Sequence, residues 1–136
     1  MRLLIAFVVC FLALPVHACR GHILENTLFY EALPEPPLEA DVIARVVLSE
    51  VDRGRARAEI VEVVTTSGVE VHEGQQFLLE YAFSSCGPNH RDGDQGMIIA
   101  KLADGDERVL LPYLRRFSDG RITPPATPEL NGLPGQ

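Results

Sequence analysis

Between Ala40 and Phe117 the apolar residues fall into five short runs rich in β-branched side chains and separated by turns, a pattern of strands in an all-β domain. ADVIARVVLSEVD (40–52) carries apolar residues on both parities, as a strand covered on both faces over part of its length does. RARAEIVEVVTT (55–66) puts Ala56, Ala58 and Ile60 on one face and then shifts the apolar set to Val61 and Val63. That slip predicts a bulge, which bends a strand around a small barrel. FLLEYAF alternates, with Phe77, Leu79, Tyr81 and Phe83 opposite Glu80. GMIIAKLA (96–103) and ERVLLPYLRRF (107–117) are joined by Asp104-Gly105-Asp106 and predict a final antiparallel hairpin. Pro112 places the last strand at an edge or at a bulge.

Residues 1–18 have the three parts of a secretory signal peptide: Arg2, the apolar run Leu3 to Leu14, and the exit Pro15-Val16-His17-Ala18. Twelve apolar residues fall well short of the roughly 20 that span a bilayer. No later stretch competes, so the mature chain is expected to lack a transmembrane segment and to be secreted or periplasmic. Cleavage after Ala18 leaves 118 residues, enough for one domain, with 11 basic against 19 acidic side chains. Such an acidic domain is a poor match for nucleic acid, which needs a basic stripe. The segment 19–39 reads as an N-terminal arm, broken by PEPP at 34–37, whose Leu28, Phe29, Tyr30 and Leu33 need cover from the domain at 40–121. The proline-rich segment 122–136 has no core pattern and reads as a disordered tail.

Cys10 leaves with the signal, so the exported chain keeps Cys19 and Cys86, and an even count in an oxidising compartment reads as one disulfide. The bridge would close a loop of about 68 residues and stabilise the fold by roughly 4 kcal/mol. Two alternatives stand beside it. VHAC at 16–19 could be a lipidation box that anchors the protein at Cys19, although His17 fits poorly and Cys86 would be left an odd thiol. The thiols could instead join His22 and His90 around a metal, but oxidised cysteines bind none, so no metal or other cofactor is expected.

The Ala40-Asp41-Val42 strand start, the Ser84-Ser85-Cys86-Gly87 segment and the strand Met97 to Lys101 together resemble the N-terminal domain of the tissue inhibitors of metalloproteinases and the wider netrin-like modules. The likeness covers about residues 38–117 plus Cys19. It implies a five-stranded Greek-key barrel of the OB type, with Cys19 paired to Cys86. It also implies a binding rim where Cys19, Arg20, Gly21 and His22 meet Ser84, Ser85, Gly87 and His90. In those inhibitors the free amine and carbonyl of the first cysteine chelate a protease zinc, with a small residue next; here that residue is Arg20, and the Cys-x-Cys start is missing. The expected function is therefore a netrin-like module that binds a protein partner of unidentified kind, with inhibition of a zinc metalloprotease through Cys19 as the alternative.

The remaining constellations point to simpler roles. Asp92-Gly93-Asp94-Gln95-Gly96, with Asn89 nearby, begins like a calcium loop but lacks the distal glutamate and reads as a turn into a strand. Ser84 and Ser85 have no nucleophile elbow around them, and Glu59 and Glu62 read as a solvated strand face, so no enzyme is expected. His72 beside Glu70 and Glu73 reads as a solvated loop residue. Arg53, Arg55, Arg57, Arg115, Arg116 and Arg121 read as guards at strand ends and edges rather than as a basic strip.

Overall fold

The computed structural model describes residues 26–82, 90–116 and 119–125. Among these there is no helix. The strands are β1 (Asn26–Thr27), β2 (Val42–Asp52), β3 (Arg55–Thr66), β4 (Gln76–Glu80), β5 (Gln95–Ala103), β6 (Asp106–Pro112), β7 (Leu114–Arg116) and β8 (Ile122–Thr123). Five of them close into a barrel in the order β2-β3-β4-β6-β5. All barrel neighbours are antiparallel except β4 and β6, which run parallel through Leu78↔Val109 and Leu79↔Leu110. This is a small OB-type barrel. A second sheet, ordered β1-β7-β8, lies outside it.

The alternating runs fill the barrel. Val42, Ala44, Val46 and Leu48 of β2, Ala56, Ala58 and Ile60 of β3, and Phe77 and Leu79 of β4 all belong to one buried cluster. β5 departs from alternation because Met97, Ile98, Ile99 and Ala100 are all buried. Ile98 and Ala100 belong to the barrel core, whereas Met97 and Ile99 join Tyr30 and Tyr113 in a second cluster flanked by Leu38, Ala40, Ile43 and Ile122. A strand covered on both faces must be apolar at every position, which is why MIIA has no polar interruption.

The bend in β3 is explicit in its pairing with β2. Ile43 faces Thr65 but Ala44 faces Val63, and Arg45 faces Glu62 but Val46 faces Ile60, so Val64 and Val61 are each skipped. Both sit at register shifts and are exposed, at 40% and 51%. Of the pair expected to take over the inward face, only Val63 packs against the core; Val61 is the extra residue of the bulge and turns outward. At the far end, Arg53 (φ 38°) and Gly54 (φ 86°) make a two-residue turn with consecutive positive φ, the type I′ geometry that matches strand twist.

Asp41 fixes the start of β2. Its N–H donates to the Ala100 carbonyl (3.0 Å), its carbonyl accepts from Ser67 N–H (2.9 Å), and its Oδ2 accepts from Leu102 N–H (2.9 Å). One short acid thereby ties β2 to β5 and to the loop after β3.

Three expectations change. Pro112 is neither on an edge strand nor at a bulge: β6 lies between β4 and β5, and Pro112 is its last residue, beyond the two-residue ladder to β4. Ile122 and Thr123, assigned to the tail, pair with Arg115 and Leu114 and are half-buried, because Ile122 completes the second cluster. Leu33, expected to need cover, is 52% exposed. Residues 126–136 of the expected tail lie outside the described residues.

Candidate functional site

The arm enters the fold as a structural strand rather than a loose strap. Asn26 and Thr27 pair with Arg116 and Arg115 of β7, and Tyr30 bridges Met97, its N–H donating to the Met97 carbonyl at 2.9 Å. β6 pairs with β5 only from Ala100 onward, so Tyr30 meets β5 three residues before that ladder starts. Between these points, Thr27 Oγ1 accepts from Phe29 N–H (3.1 Å), a tight local turn that directs Leu28 into the barrel core, where it is fully buried. Phe29 lies across Gly96 so closely that a Cβ there would come within 2.5 Å of the Phe29 ring. Only glycine permits that approach.

His90 holds this arm to the loop that follows β4. Its Nε2 accepts from Leu28 N–H at 3.2 Å, its Nδ1 faces Asp94 Oδ2 at 3.5 Å, and its ring meets Phe29 edge-on at 4.9 Å and Tyr81 at 6.3 Å. Burial pushes the imidazole pKa down more than Asp94 raises it, which favours the neutral ring. The same burial, with Asp94 adding to it, pushes the Tyr81 phenol up.

The turn carrying Asp94 is stitched to β2. Gly93 N–H donates to the Leu48 carbonyl, Leu48 N–H donates to the Asp94 carbonyl, and Val51 N–H donates to Asp92 Oδ1, each at 2.8 Å. Asp94 Oδ2 also accepts from Arg91 N–H at 2.9 Å. Both carboxylates that resemble a calcium loop are thus engaged in building a turn. Among the described residues no three His, Cys, Asp or Glu side chains converge as metal ligands.

Of the rim residues singled out in the sequence, His90 is described and lies at the arm junction. Cys19, Arg20, Gly21, His22, Ser84, Ser85, Cys86 and Gly87 lie outside the described residues. Leu28, Phe29, Tyr81, Asp94 and Gly96 join His90 in a way that the sequence did not indicate. The one signal available was a glycine at the start of an apolar strand, and many turns produce that.

Four of the six arginines singled out in the sequence, Arg55, Arg57, Arg116 and Arg121, are in ion pairs. Arg55 pairs with Glu80 (3.1 Å), Arg57 with Glu50 (3.1 Å) and Arg45 with Glu62 (3.2 Å), while Arg116 and Arg121 share Asp119. His72 pairs with Glu70 on the exposed loop at 3.3 Å. Tyr30 in the second cluster has a buried hydroxyl without a hydrogen-bond partner among the described residues, and burial pushes its pKa up to about 12. No protein-family model, curated protein or solved structure matches the chain.

Proposed function

We propose that the chain is an exported, secreted or periplasmic, OB-type binding module of netrin-like character, whose contact surface is the rim where the arm meets the loop before His90. The observation that carries this reading is the 3.2 Å contact between Leu28 N–H and His90 Nε2. Cys19 lies nine residues before Leu28, and Cys86 lies four before His90. At no more than about 3.4 Å per residue, those separations span at most about 30 Å and about 14 Å, which leaves a disulfide between the two cysteines within reach. Arg20, Gly21, His22, Ser84, Ser85 and Gly87 belong to the same two sequence segments. Nothing in this reading calls for catalysis.

The test places a photo-crosslinking side chain at Arg20 or Ser85, with Glu107 on β6 as the control, in the exported protein. Adducts at the first two positions and none at the third are expected; equal capture at Glu107 overturns the rim. Intact mass before and after reduction and alkylation decides the state of Cys19: two alkyl groups gained only on reduction for a bridge, a diacylglycerol increment for an anchor. The inhibitor form of the reading predicts that an alanine inserted before Cys19 abolishes inhibition of a zinc protease by displacing the free amine. It also predicts that Arg20→Thr strengthens inhibition by sparing an unpaired charge from burial.

A further inference from the structure

We propose that His90 is a proton-operated latch on the N-terminal arm: with Nε2 unprotonated it holds Leu28, and a proton on that nitrogen weakens the hold. The proposal adds a regulation to the rim described above and rests on that reading for its purpose, although its test requires no partner.

The geometry requires a neutral ring. Nε2 receives the Leu28 N–H at 3.2 Å, so the single proton of the imidazole belongs on Nδ1, toward Asp94 Oδ2 at 3.5 Å. An imidazolium has no lone pair on Nε2. Protonation would set one N–H against another at the point where the arm joins the domain.

The groups facing the ring among the described residues define the balance. From the turn before β5 comes Asp94, whose charge favours the imidazolium and whose Oδ2 is already engaged by Arg91 N–H. From the segment after β4 comes the Tyr81 phenol, and from the arm come the Phe29 ring and the backbone of Leu28. The Thr27 hydroxyl is occupied by Phe29 N–H. Burial outweighs Asp94, so the docked pKa lies below the usual histidine value. A ring freed from the arm titrates near the ordinary value of about 6.5. Docking is therefore at full strength above about pH 6.5 and weakens as pH falls from there toward the docked pKa, by up to about tenfold per pH unit. Weakening the latch loosens Leu28 and Phe29, the two side chains that cover the barrel core and Gly96 beside the rim.

Amide hydrogen exchange on the full exported chain reads the latch directly. With intrinsic rates corrected, protection of Leu28 N–H is expected to fall by up to about tenfold per unit between pH 6.5 and 5, while that of Val46 N–H in the barrel stays constant. His90→Gln supplies a side-chain carbonyl that can accept from Leu28 N–H and does not titrate, so its Leu28 protection should be independent of pH. A flat profile in the native protein overturns the latch, as does the same slope in His90→Gln or a parallel loss at Val46. Loss of the latch with crosslinks still confined to Arg20 and Ser85 would leave the rim standing, and crosslinks spread over the barrel with an intact pH profile would do the reverse.

Discussion

Replacing Gly96 with alanine tests whether Phe29 is a fixed part of the fold. The added Cβ would come 2.5 Å from Phe29 Cγ, 2.6 Å from Cδ1 and 2.8 Å from its Cβ. These are not the free end of a flexible chain, so Phe29 must move as a unit, away from Gly96 and from the edge-on contact with His90. Overpacking of this kind costs about 1–3 kcal/mol. Alanine in place of a strand glycine returns about 0.5–1 kcal/mol, leaving a mid-range net loss of about 1 kcal/mol. With an m-value of about 2 kcal/mol/M, the urea midpoint should fall by about 0.5 M. In a Phe29→Gly background, which removes the Cβ as well as the ring, the obstacle is gone, and the same Gly96→Ala change should raise the midpoint instead. The reversal of sign is the diagnostic result. If Gly96→Ala leaves the native protein unchanged or stabilises it, or if its cost persists without the Phe29 ring, the close packing of arm on barrel is wrong.

Leu28→Ala should cost about 2–5 kcal/mol in the same assay, the range for truncating a fully buried leucine; a loss below about 1 kcal/mol would mean that the arm is dispensable. Asp41→Ala should cost about 1–2 kcal/mol by leaving Leu102 N–H without its carboxylate, and hydrogen exchange should show faster loss at Leu102 than at Val46. A chain ending at Pro125 should melt like the full one, whereas one ending at Gly120 should melt several degrees lower, because it loses β8 and the packing of Ile122; equal melting of the two would remove β8 from the fold.

The barrel was legible because its side chains report local geometry: the inward alternation of β4 and the slip in β3 are written in neighbouring residues. The same local reading fell short at Val61, since a bulge leaves one residue outside the alternation and the pattern does not say which. At Pro112 composition suggested an edge, but a strand end provides the same exemption from a full ladder. The arm junction was least legible. His90 was noticed for its place near Cys86, yet its partner is a backbone N–H 62 residues away, and every residue but proline offers the same donor. The fit of Phe29 on Gly96 likewise depends on two segments that meet only after the barrel exists.

That dependence gives the arm a delay as the chain is made. Leu28 is synthesised early, but His90, Met97, Arg115 and Arg116, which receive the arm, come from 62 to nearly 90 residues later. At about 5–20 residues per second, Leu28, Phe29 and Tyr30 wait about 3–18 seconds for the surfaces that cover them. The β2–β3 hairpin can close within that interval and the arm cannot, so the first described segment of this chain to be made is among the last to find its place.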